Sequence, residues 1–230
     1  FIANFVLWNE VGYFDNVSNT KPLLHLWSLG IEEQFYIIWP FILYFVWRRR
    51  LPTFLIIIGL AVGSFFINII CSRVDPSGSF YSPASRFWEL LFGVILAYIN
   101  SQKNIHQPTQ NYKFYNLINK LTKIITPFWL RNNINDICSF FGFVLIFIGF
   151  LCIDESVNFP GFWAVIPVLG TVLVISSGQQ AWFNRVILAN PVAVWFGLIS
   201  YPLYLWHWPL LSFAYIIEGT TPSPVYRVSA

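Results

Sequence analysis

The segment 54–71 (FLIIIGLAVGSFFINIIC) holds no charged side chain, and it is one of six apolar runs, at about 35–47, 54–71, 86–99, 137–153, 161–176 and 192–217. A helix needs about 20 residues to cross a bilayer, with a range near 17–25. Several of the runs reach that length only with their polar flanks. Of the 230 residues 57% are hydrophobic, 20% aromatic and only 10% charged, where a soluble domain carries about 25% charged residues. So few charges cannot cover a water-facing surface, so the bilayer is the natural solvent. The expected fold is all-α, a polytopic integral membrane helical bundle with about six transmembrane helices. The first helix should begin near Pro22 or Ser28 and bend at Trp39-Pro40.

Lys and Arg set the orientation, because cytoplasmic loops retain them. With the chain starting outside, the inner loops 48–53, 100–136 and 177–191 hold nine of the 13 basic residues, and the outer segments hold Lys21, Arg73, Arg86 and Arg227. Arg48-Arg49-Arg50 is the strongest anchor. Residues 1–34, 72–85, 154–160 and 218–230 then face outward. Within 100–136, the stretch 112–130 places Tyr112, Tyr115, Leu117, Leu121, Ile124 and Ile125 at near-helical spacing, with Lys113, Lys120 and Lys123 between them. This reads as an amphipathic helix on the inner membrane surface, or else as a solvated linker.

The net charge is +3, and no basic cluster is interleaved with polar reading residues, which argues against a nucleic-acid partner. Cys71, Cys138 and Cys152 have no metal-ligand spacing. They read as small buried hydrophobes, with a Cys71–Cys152 disulfide as the alternative. The chain has no Met and starts at Phe1, so a fragment is expected, and no signal peptide is legible.

Ionisable groups inside the apolar runs are costly and are functional candidates by default. In PLLHLWSLGIEEQFYIIWP, the offsets of His25, Ser28 and Glu32 put them on one helical face, with Glu33 about 100° further round. A carboxylate beside an imidazole can transfer protons. The structural alternative is a helix start, with Ser28 as the cap and the acids favoured by the dipole. In SRFWELLFG, Arg86 and Glu89 are i, i+3 neighbours. They form either a simple pair or a polar wall in which Arg86 grips a phosphate or carboxylate. In GLISYPLYLWHWPLL, His207 lies deep in the sixth run among Tyr201, Tyr204, Trp206 and Trp208. Pro202 and Pro209 are expected to interrupt this helix and free carbonyls. The aromatic residues suit stacking on sugar rings or anchoring at the interface.

NFVLWNEVGYF, KPLLHLWSLGIEEQFYIIWP, SRFWELLFG and ISYPLYLWHWPLL occur in this order, and over nearly the whole chain this resembles the acyltransferase 3 family. In particular it is similar to the bacterial membrane O-acyltransferases that often carry a C-terminal SGNH-type domain. The resemblance implies a multi-helix enzyme of the bacterial inner membrane. Such an enzyme takes an acyl group, usually acetyl from acetyl-CoA, and delivers it to a hydroxyl of an envelope glycan such as lipopolysaccharide O-antigen or peptidoglycan. Its partners are the bilayer, acyl-CoA, the glycan acceptor and the SGNH domain. Acyl-CoA is a co-substrate, and no tightly bound cofactor or metal is implied.

The resemblance raises Glu32, Glu33, Arg86, His207 and His25 as catalytic candidates, and Ser28, Glu89, Tyr201, Tyr204 and Trp206 as substrate-binding ones. Lys113, Lys120, Lys123 and Arg131 are the candidates for CoA's phosphates. The family's presumed catalytic His, with an Arg upstream, falls before Phe1, so residues 1–230 are expected to be a partial, catalytically incomplete membrane domain. The competing functions are a transporter or exporter of acyl groups or glycan precursors that does no chemistry, and a membrane sensor or assembly subunit.

Overall fold

The computed structural model describes residues 1–10, 20–104, 133–154, 157 and 159–219, and every regular element among them is helical. These are α1 (Ala3–Glu10), α2 (Leu26–Arg48), α3 (Thr53–Val74), α4 (Pro76–Tyr81), α5 (Pro83–Asn104), α6 (Ile134–Cys152), α7 (Val165–Ser176), a π-helical turn (Asn184–Leu188) and α8 (Pro191–Glu218). The six apolar runs fall on α2, α3, α5, α6, α7 and α8. Residues 26–48, 53–74 and 133–152 are long and apolar enough to cross a membrane. Helix α7 is shorter. In α5, Arg86 and Glu89 dilute the apolar run; in α8, the prolines, the tyrosines and His207 do so.

Proline punctuates the chain. Pro76, Pro83 and Pro191 stand first in α4, α5 and α8, where a missing N–H costs nothing. The Asp75 carboxylate caps α4 by accepting from the Gly78 N–H at 2.9 Å. Pro40, Pro202 and Pro209 lie inside helices that continue past them. The expected interruption of α8 is therefore a single helix. Each proline removes one N–H, which neighbouring groups in a protein interior can offset.

The chain divides into two compact units. The first takes residues 1–88, 158–161 and 191–230. In it α1 packs on α2 and α4, and α3 on α4 and α2. Ile31, Phe35 and Val46 of α2, Phe54, Ile57 and Ala61 of α3, and Trp88 are buried. Phe35 stacks on Trp39 at 5.5 Å and meets Phe87 edge-on at 5.3 Å.

The second unit takes residues 89–157 and 162–190, and its main contact is α6 against α7. A Cβ added to Gly142 would lie 2.7 Å from the Gly170 carbonyl oxygen, and one on Gly170 would lie 2.7 Å from that of Gly142. Two glycines therefore set this close crossing, as small residues do between membrane helices. The Asn184 amide donates to the Val174 and Gly178 carbonyls at 2.9 and 2.8 Å, and its oxygen accepts from the Ser139 hydroxyl at 2.7 Å.

Large apolar side chains cover much of the surface: Trp47 is 77% exposed, Phe150 79% and Ile217 82%. A water-soluble surface rarely carries such contiguous apolar cover, and lipid accepts it without cost. Cys71, Cys138 and Cys152 are all free thiols, and none is fully buried. This corrects the expectation of small buried hydrophobes: lipid, unlike water, does not penalise an exposed thiol side chain. The expected amphipathic helix at 112–130 and the outward tail beyond Gly219 lie outside the described residues.

Candidate active site

Helix α8 grips the turn before α2 through two side chains one helical turn apart. Tyr204 donates its phenolic proton to the His25 carbonyl, and the Trp208 indole N–H donates to the Lys21 carbonyl at 2.8 Å. The Tyr204 oxygen also lies 2.7 Å from the Ser28 hydroxyl. Tyr204 has a single proton, already given to the carbonyl, so Ser28 is the donor in that pair. Helix α2 starts at Leu26 with no side-chain cap. Ser28 is therefore no cap; its hydroxyl serves the contact with α8.

Three rings gather here. His25 meets Tyr204 at 5.1 Å and His207 at 5.6 Å, and Tyr204 lies 5.9 Å from His207. His207 Nδ1 is 2.9 Å from the Tyr204 carbonyl oxygen and 3.0 Å from that of Leu203. Carbonyls only accept, so Nδ1 carries a proton in both contacts. His25 stands just before the α2 span, and both its ring nitrogens are buried with no hydrogen-bond partner. Burial holds its pKa below the ordinary value and the neighbouring His207 lowers it further, while the backbone of Leu205 works the other way. Pro209 has no N–H to bind the Leu205 carbonyl four residues earlier.

Glu32 lies on the His25–Ser28 face, two turns into α2 and half-buried. Glu33 lies about 100° further round α2, next to Gln34, whose amide donates to Asn4 Oδ1 of α1 at 2.8 Å. The two acids are therefore separated by the 100° step of the helix. Neither lies in the first turn, so the helix dipole does not account for them.

Arg86, in the first turn of α5, sits among aromatic rings. Its guanidinium carbon is 5.1 Å from the Trp27 ring centroid, 5.3 Å from Phe159 and 5.8 Å from Phe80. Glu89, one turn on, belongs to the second unit. Tyr201 and Trp206 are exposed on α8, at 58% and 65%, and do not join the ring cluster. Lys113, Lys120, Lys123 and Arg131 lie outside the described residues.

Sequence reasoning missed Trp27, Phe80 and Phe159, because single rings do not stand out in so aromatic a chain. It also missed Ser64 and Asn68, buried at 8% and 0% exposure. The signal for those two was present, since both are polar residues inside the uncharged run 54–71.

The rings of His25, Tyr204 and His207 thus meet, Glu32 shares the His25 face of α2, and Arg86 lies over Trp27, two residues along from His25. Comparison with known proteins places the chain in a family. The family described as "Acyltransferase domain" matches residues 1–225. A protein of Staphylococcus aureus (strain COL) is 30% identical over 228 residues, covering 95% of this chain and 35% of its own length. Peptidoglycan O-acetyltransferase OatA of Listeria monocytogenes is 28% identical over 97% of this chain and 34% of its own. O-acetyltransferase OatA of Staphylococcus aureus (strain NCTC 8325) is 28% identical over 95% and 34%. The chain thus spans about a third of the length of these curated relatives. No solved structure matches. The motifs, the helical membrane fold and the match over nearly its whole length together establish that this chain belongs to the acyltransferase 3 family.

Proposed function

We propose that the protein carrying this chain is a membrane-bound O-acyltransferase that moves an acyl group, with acetyl the first expectation, from acyl-CoA to a hydroxyl of a cell-envelope polysaccharide. The observation that carries this reading is the His207 imidazole. Its Nδ1–H is fixed on two backbone carbonyls, which leaves Nε2 as a base beside His25. The base takes the hydroxyl proton as the oxygen attacks the acyl carbonyl. Arg86 steadies the negative charge that develops on the carbonyl oxygen. The intermediate then collapses, the bond from the acyl carbon to the CoA sulfur breaks, and the departing thiolate takes up the proton. Glu32 orients an imidazole, as carboxylates do in other acyl-transfer sites.

The protein is proposed to lie in the bacterial inner membrane. Residues 1–34 face outward, toward the glycan, and the basic loop 100–136 faces the cytoplasm, where Lys113, Lys120, Lys123 and Arg131 bind CoA's phosphates. The acceptor proposed first is peptidoglycan, on the strength of the Listeria relative's name.

The test uses membranes containing the full-length protein supplied with acetyl-CoA labelled in the acetyl group. Alkali-labile label in the glycan fraction, lost in His207→Ala at unchanged protein level, is the expected result. No label with any acyl-CoA would shift the reading to transport.

A further inference from the structure

We infer that Trp27, Phe80 and Phe159 are positioning residues for Arg86, and that Ser64 and Asn68 of α3 anchor this aromatic cage. The inference rests on the reading of Arg86 as the group that steadies charge on the acyl oxygen. The guanidinium carbon lies over all three rings, at 5.1, 5.8 and 5.3 Å. Ring faces are negative and stabilise the cation. The rings are tilted to one another, by 44° between Trp27 and Phe80 and by 61° between Phe80 and Phe159, so they enclose the guanidinium from several sides and hold it in place.

The cage is built from three separate segments that brace one another. Trp27 of α2 lies 4.3 Å from Phe80 of α4, and Phe80 lies 6.3 Å from Phe159. Two polar side chains of α3, one turn apart, secure the rest. The Ser64 hydroxyl donates to the Ala84 carbonyl at 2.6 Å and accepts from the Trp88 N–H at 3.0 Å. Ala84 and Trp88 bracket Arg86, so one hydroxyl pins the turn that carries the cation. Asn68, fully buried, donates to the Gly161 carbonyl at 3.0 Å, two residues from Phe159. A buried polar group in an apolar run is costly unless satisfied: the Ser64 hydroxyl both donates and accepts here, and the Asn68 amide N–H is spent on Gly161 while its Oδ1 has no hydrogen-bond partner.

The experiment measures acetyl transfer by the full-length protein in membranes, with protein level read by immunoblot. Arg86→Ala should abolish transfer. Phe159→Leu should lower kcat about tenfold with KM little changed, because the lost ring acts through a cation used in the transition state. Phe159→Tyr, which keeps the ring face, should restore most of kcat. Should Phe159→Leu fail to accumulate, Trp27→Phe against Trp27→Leu carries the same comparison. Normal kcat in the ring-less variants while Arg86→Ala is dead would overturn the cage alone, as would a loss confined to KM. Full activity of Arg86→Ala would overturn the reading of Arg86, and the cage with it.

Discussion

Tyr204 hydrogen-bonds the His25 carbonyl across 179 residues of chain, and this contact decides where His207 stands. His207 lies one turn beyond Tyr204, and its Nδ1 rests on the Tyr204 carbonyl. Fixing Tyr204 to the turn before α2 therefore fixes the imidazole beside His25. Tyr204→Phe removes the tie to His25 and the Ser28 contact, at a cost of about 1 kcal/mol of stability per hydrogen bond lost. It should lower glycan acylation at least tenfold through misplacement of His207. Ser28→Ala leaves the His25 tie intact and should cost less in the same assay. Equal losses in the two variants would show that the tie to His25 carries no positioning.

His207→Ala should cost about 10²–10⁴-fold in transfer rate, the usual worth of a general base. His207→Asn retains a group able to donate to the two carbonyls but has no base, so it should be as slow as the alanine variant while accumulating normally. An active His207→Asn protein would move the base elsewhere.

His25 gives a pH signature. Its folded pKa is held below the ordinary 6.5 by burial, then by His207. Above that value it is neutral folded or unfolded and contributes no slope. As pH falls through 6.5 the unfolded chain takes up a proton that the folded one refuses, so stability declines until the lowered folded pKa is reached. Thermal unfolding in nanodiscs between about pH 5 and 8 should show this decline on the acid side. His25→Gln should flatten it.

Gly142→Leu should destabilise the second unit. The added side chain meets the Gly170 backbone, with first contact already at 2.7 Å, and backbone cannot step aside as a flexible side chain can. A loss of about 1–3 kcal/mol is expected from overpacking, read as a lower unfolding temperature. An unchanged temperature would mean that α6 and α7 do not cross at these glycines.

Apolar runs made the major helices legible, because lipid leaves helices as the economical way to pair the backbone. The shared face of His25, Ser28 and Glu32 was legible too, from spacing alone. The tie of Gln34 to Asn4 was not, because it depends on α1 packing beside α2. Nor was the role of Ser28. In the sequence it resembles a cap, and only the return of α8 gives it Tyr204 as a partner. Phe80 and Phe159 became meaningful only once folding set them around Arg86. No periodicity links residues so far apart in the chain.

Labelled acetyl-CoA tests acyl transfer through His207. Membranes holding the full-length protein should place protein-dependent, alkali-labile label in the envelope glycan, and His207→Ala should abolish it at equal protein level. Undiminished labelling by His207→Ala would rule His207 out of the transfer.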